Sequence, residues 1–151
     1  MKLGDVLRKE RERKRLPVEK VAAELNVRVG DYQELEAGSS PIEQWAPKLA
    51  QIAIQLSTPT SRLISETGKS ANAGDCGRLI RANREKRELD QEQLAQSLGV
   101  PVSELDSIEA GKSPLESYAP MLLKFAELIE QPIFNLFYPC GLPLNKLEDY
   151  P

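Results

Sequence analysis

The chain has 151 residues, 20 Lys and Arg against 23 Asp and Glu, and a net charge of −3. That length allows one ordinary domain or two small ones. A dedicated nucleic-acid binder is more often basic, so the charge counts against that class from the start. Histidine is absent, which removes the commonest general base and metal ligand and weakens hydrolase and metalloenzyme readings.

Two copies of one pattern organise the chain. Sliding the sequence by 73 positions aligns Gly4–Ile64 with Gly77–Phe137 without a gap, and 22 of the 61 pairs are identical. The expected organisation is a first domain over 1–64, a polar linker over 65–75, a second domain over 76–138 and a proline-containing tail over 139–151. The first domain is mildly basic, with 11 cations against 9 acids, and the second acidic, with 7 against 10.

In chain order, the apolar spacing is helical throughout. Helix 1 carries Leu3, Val6 and Leu7, matched by Cys76, Leu79 and Ile80. The run Arg8–Arg15 beside it reads as a solvated face with charges paired three or four residues apart. Helix 2 carries Val18, Val21, Ala22 and Leu25, matched by Leu94, Ala95 and Leu98. Asp90 with Gln93 has the form of a capping box for the second copy, whereas the first has Pro17 there. Helix 3 is short, with Tyr32 and Leu35 matched by Leu105 and Ile108. Gly38 and Gly111 follow it, where a left-handed C-cap favours glycine.

A fourth helix is expected after Pro41 and Pro114, carrying Ile42, Trp45 and Ala46 or Leu115, Tyr118 and Ala119. A fifth is expected to start at Pro47 and Pro120, because proline is tolerated in a first turn. It carries Leu49, Ile52, Ala53 and Leu56, or Leu122, Phe125, Ala126 and Ile129. Trp45 and Tyr118 are read as core. Phe134, Phe137 and Tyr138 close the second copy as core or as cover for a seam.

The linker would reach on the order of 36 Å if extended and roughly 18–20 Å as a coil. No strand signal, signal peptide or membrane span is visible, so a cytoplasmic protein is expected. Cys76 and Cys140 are too few and too far apart for a metal site and are read as free thiols.

Five helices with a tight turn between the second and third, and Glu-Ala-Gly-x-Ser-Pro after the third, resemble the Cro or phage-repressor type of helix-turn-helix, the XRE family. The resemblance implies an all-α protein of two tandem five-helix, lambda-repressor-like domains. In such proteins helix 3 enters the major groove with its N-terminal residues on base edges, and helix 2 lies across the backbone. It implies base-facing positions at Val102, Ser103 and Ser107 in the second copy and at Val29, Gly30 and Glu34 in the first, with Arg28 alongside. The phosphate-contacting start of helix 2 falls on Gln91 and Val18, and Lys112 is the cation of the following loop. Arg11 with Glu36, and Arg84 with Glu109, match the family's structural ion pair between helix 1 and the end of helix 3.

The function implied is a sequence-specific transcriptional regulator that binds double-stranded DNA with its two domains as a covalent pseudo-dimer. Neither recognition helix has a rich set of Arg, Lys, Asn or Gln for base edges. Asp31, Glu34, Glu104 and Asp106 oppose phosphate. The alternative is therefore the same fold kept as a protein-interaction module with weakened DNA binding. An enzyme is not expected: no nucleophile, base, metal cluster, cofactor motif or small-molecule site is visible. Further partners to consider are a second copy of the chain or another protein.

Overall fold

The structure is a computed structural model that describes residues 2–56, 74–131 and Leu136. Among these residues there are eight α-helices and no strand. They are α1 (Leu3–Arg13), α2 (Val18–Glu24), α3 (Val29–Ala37) and α4 (Ile42–Gln55). The second series is α5 (Asp75–Lys86), α6 (Gln91–Leu98), α7 (Val102–Glu109) and α8 (Leu115–Leu128). Apart from the first pair, equivalent helices begin 73 residues apart.

The boundaries follow local chemistry. Asp90 caps α6, its Oδ1 accepting the Gln93 N–H at 2.7 Å while Gln93 Oε1 accepts the Asp90 N–H at 2.9 Å. The turns before α3 and α7 pass through the left-handed region, at Asn26 (φ 59°) and Gly99 (φ 70°). These are residue types that tolerate it. Gly38 and Gly111 close α3 and the α7 turn at φ 76° and 78°, as the sequence suggests.

Two expectations are corrected. Helices 4 and 5 of the sequence reading are a single helix in each copy, α4 and α8, with Pro47 and Pro120 inside. An interior proline loses one backbone bond and crowds the preceding turn, at a cost of about 3 kcal/mol. The apolar stripe nevertheless continues through it. Ile42, Ala46, Leu49, Ala50, Ile52 and Ala53 are all buried on one side of α4, and large side chains gain about 1.5–3 kcal/mol each on burial. That sum exceeds the proline penalty. Among the described residues each copy thus shows four helices, and Leu136 is helical as well. Asp75, expected in the linker, already belongs to α5.

The reason lies at the start of α5. Glu116, on α8, accepts the N–H groups of Gly74 (2.8 Å), Cys76 (3.1 Å) and Gly77 (2.8 Å). Its counterpart Glu43, on α4, accepts those of Leu3 (2.9 Å) and Gly4 (2.8 Å). A carboxylate from a distant helix thus caps the first-turn N–H groups of α1 and α5. The helix starts are also pressed close to the ends of α3 and α7. A Cβ on Gly77 would collide with the Ile108 carbonyl oxygen, and one on Gly4 with that of Leu35. Only glycine fits there.

The buried residues of both copies form one cluster. α4 packs on α8 and on α6. Leu25 and Ile42 meet Met121 and Phe125 at a small apolar pocket. Two ion pairs cross between the copies, Lys48 Nζ–Glu104 Oε1 at 2.8 Å and Lys14 Nζ–Glu130 Oε2 at 3.4 Å. Trp45 and Tyr118 are half-buried against the core, and Lys48 Nζ lies 4.4 Å from the centroid of the Trp45 ring. Cys76 is a free, buried thiol. Cys140, Phe134, Phe137, Tyr138 and the tail over 139–151 lie outside the described residues. Among the described residues no helix is long and apolar enough to cross a membrane.

Candidate nucleic-acid interface

α6, the Gly99 turn and α7 form the better-equipped of the two helix-turn-helix arrangements. Leu105, Ile108 and Glu109 fix α7 on the core side. Val102, Ser103, Asp106, Ser107 and Ala110 are exposed, and so is Lys112 beyond the helix. In the first copy Tyr32 and Leu35 are buried on α3. Arg28, Val29, Gly30, Asp31, Gln33 and Glu34 are exposed. Ser39, in the place of Lys112, donates its hydroxyl to the Glu34 carbonyl at 3.4 Å. The base-facing positions implied by the resemblance therefore lie on outward faces of both helices.

Behind them sit the two ion pairs. Arg84 donates from Nε to Glu109 Oε2 at 2.7 Å, from Nη2 to Glu109 Oε1 at 3.0 Å and from Nη1 to the Leu89 carbonyl at 2.7 Å. Arg11 repeats the arrangement with Glu36 at 2.6 and 3.1 Å and with the Leu16 carbonyl at 3.1 Å. The planar guanidinium matches the carboxylate as a two-pronged fork. Hydrogen bonding to the glutamate raises the pKa of each arginine despite the opposing effect of burial. These pairs tie α1 to the end of α3 and α5 to the end of α7.

Gln91 has a more specific environment than its position implies. Its Nε2 donates to Glu109 Oε1 at 3.1 Å and to Asp106 Oδ1 at 3.3 Å. Both amide hydrogens are thereby engaged with carboxylates. A phosphate approaching this point would meet the Gln91 and Glu92 N–H groups, which have no acceptor within the helix, beside the Asp90 carboxylate that already takes the Gln93 N–H. The groove there is lined by Arg81 and Arg84, by Asp90, Gln91 and Glu92 at the start of α6, and by Val102 and Asp106 of α7. Its exposed cation Arg81 is shared with Glu85 at 3.3 Å. Glu104 faces Lys48 of the other copy instead, so its charge is offset. Val18, at the corresponding place in the first copy, offers no polar side chain.

Three features escaped the sequence reading: the Glu43 and Glu116 caps, the Gln91 contact with Glu109, and the Lys48–Glu104 pair. The first had a signal, since Glu43 and Glu116 are identical across the repeat. The third had none, because Lys48 is replaced by Met121 in the second copy. Among the described residues no group of three or more His, Cys, Asp or Glu could hold a metal ion.

Over residues 80–125 the chain is similar to the family described as Helix-turn-helix. That span takes in all of α6, the turn and α7, together with most of α5 and α8. No curated protein and no solved structure matches the chain. The match thus falls within the second copy and covers its helix-turn-helix.

Proposed function

We propose that this protein is a cytoplasmic, sequence-specific DNA-binding transcriptional regulator whose two repeats act as a covalent pseudo-dimer on one duplex. The observation that carries the reading is the recurrence, 73 residues apart, of a short helix with its N-terminal side chains exposed and its other face buried. Such a helix can enter a major groove while α4 and α8 hold the two copies together. Half-sites for such pairs lie about 34 Å apart. In this reading Ser103 and Ser107 contact base edges beside Val102 in one half-site, with Arg28, Val29, Gly30 and Glu34 placed over the other. Lys112 and the start of α6 at Gln91 meet phosphates.

Selection of duplexes from a random pool by the full chain, at two salt concentrations, tests the proposal. The expected result is an enriched motif with two half-sites, bound with an affinity whose logarithm falls linearly with log salt. Lys112→Glu is expected to weaken binding to all sequences and to lower the salt slope by about 1. No enrichment and no gel retardation at low salt would refute it.

A second reading is supported by the Gln91 amide, held by two carboxylates in a groove that also presents Asp90 and Glu92. An acidic helix-turn-helix face suits a basic protein surface, and the module would then bind a partner in place of DNA. Failure to retard any duplex, together with a stoichiometric basic partner lost on Asp106→Lys, would favour it.

A further inference from the structure

Val29 and Val102 are the exposed large hydrophobic residues among those described, at 37% and 39% of full exposure. They are the first residues of α3 and α7 and equivalent positions of the repeat. Their neighbours have diverged, with Arg28 against Pro101, Gly30 against Ser103 and Asp31 against Glu104. Core packing accounts for the two valines only in part, since each keeps more than a third of its surface exposed. Helix propensity does not account for them, because a β-branched side chain is a mediocre helix former. Each has one polar chain neighbour, Arg28 or Ser103, and neither stands beside another exposed large hydrophobic residue in its own helix, as it would in a protein-docking face.

Gly30 adds a second observation. A Cβ built on it would meet nothing within 4 Å, and its φ is not in the left-handed region. The fold therefore does not require glycine here, and glycine is poor in a helix. What its absence of a side chain provides is a bare backbone beside Val29, suited to close approach of a ligand.

On the DNA-binding reading above, we infer that Val29 and Val102 each pack against the C5-methyl group of a thymine in the major groove. The two half-sites then share an A·T pair at equivalent positions. They differ at the adjacent base, where Ser103 presents a hydroxyl and Gly30 presents none. Valine has no hydrogen-bonding group, and the thymine methyl is the apolar feature of the major-groove edge. Against guanine or adenine the same valine would cover N7 and its neighbouring polar group without replacing their hydrogen bonds to water. Contact and exclusion both favour thymine.

The test uses the full chain and a duplex enriched by it from the random pool, with each thymine replaced singly by deoxyuridine, which lacks only the methyl group. Uracil at two equivalent positions, one per half-site, is expected to weaken binding roughly three- to fivefold, the effect of losing one buried methyl. Val102→Ser is expected to erase the sensitivity at one position and Val29→Ser at the other. Serine is acceptable in a helix's first turn, and unchanged thermal unfolding of the variants checks that the fold is kept. Half-sites lacking equivalent thymines, or uracil sensitivity that persists in the serine variants, overturn this inference and leave DNA binding standing. No enriched duplex at low salt overturns the DNA-binding reading and this inference with it.

Discussion

Arg84→Met isolates the contribution of the buried fork. The wild-type guanidinium donates three hydrogen bonds, two to Glu109 and one to the Leu89 carbonyl. The Glu109 side chain is 2% exposed, so after the substitution its carboxylate stays buried with Gln91 Nε2, at 3.1 Å, as its remaining side-chain donor. Breaking such a pair from one side costs about 3–5 kcal/mol, a large share of the roughly 5–15 kcal/mol by which a domain is stable. Replacing both partners, Arg84→Met with Glu109→Leu, removes the stranded charge and leaves chiefly the unpaired Leu89 carbonyl, a loss of about 1–3 kcal/mol. The double variant should therefore be more stable than Arg84→Met alone. Urea unfolding followed by circular dichroism, with the four proteins of the cycle fitted at a common slope, measures this. Arg84→Met within about 1 kcal/mol of wild type, or a double variant losing the sum of the two single losses, would refute the assignment of Glu109 as a buried charge dependent on Arg84. Arg11→Met should cost less, about 2–3 kcal/mol, because the Arg11 and Glu36 side chains are 15% and 11% exposed.

Tyr32→Phe should change stability by no more than about 1 kcal/mol in urea unfolding, because the buried hydroxyl has no partner in good hydrogen-bond geometry although Glu36 and Arg11 lie near it. The equivalent position is Leu105, already apolar. The Cys76 thiol, pushed up to about 12 by burial and then by the Glu116 carboxylate, should react with a thiol reagent far more slowly in native than in urea-unfolded protein. The unfolded thiol ionises near its ordinary 9, so the stability associated with Cys76 is complete below that pH and is lost as pH rises from 9 towards 12. A double-mutant cycle on Lys48→Met and Glu104→Gln should give a coupling of about 0.5–1 kcal/mol that shrinks with added salt, since both side chains are about a quarter exposed. A cycle energy of zero at low salt would remove this pair as a tie between the copies.

Helix content, the recurring pattern, the α6 capping box, the glycine caps and the buried apolar positions were all legible in the sequence. Each rests on spacing or on one residue's intrinsic backbone preference, which the chain carries before it folds. Pro47 and Pro120 show where that reasoning fails. They were read as helix starts because proline is weighed locally, whereas the stripe from Ile42 to Ala53, buried as one face, overrides the local penalty. Tertiary structure alone decided which partners distant side chains find. The Glu116 carboxylate caps a helix some 40 residues earlier in the chain, Lys48 of one copy offsets Glu104 on α7 of the other, and Gln91 turns its amide hydrogens to Asp106 and Glu109. Such contacts depend on three-dimensional proximity, to which neither hydrophobic period nor residue preference is sensitive. The sequence determines that a helix-turn-helix forms; the packing around it determines which charges and hydrogen bonds its outer face has left to offer.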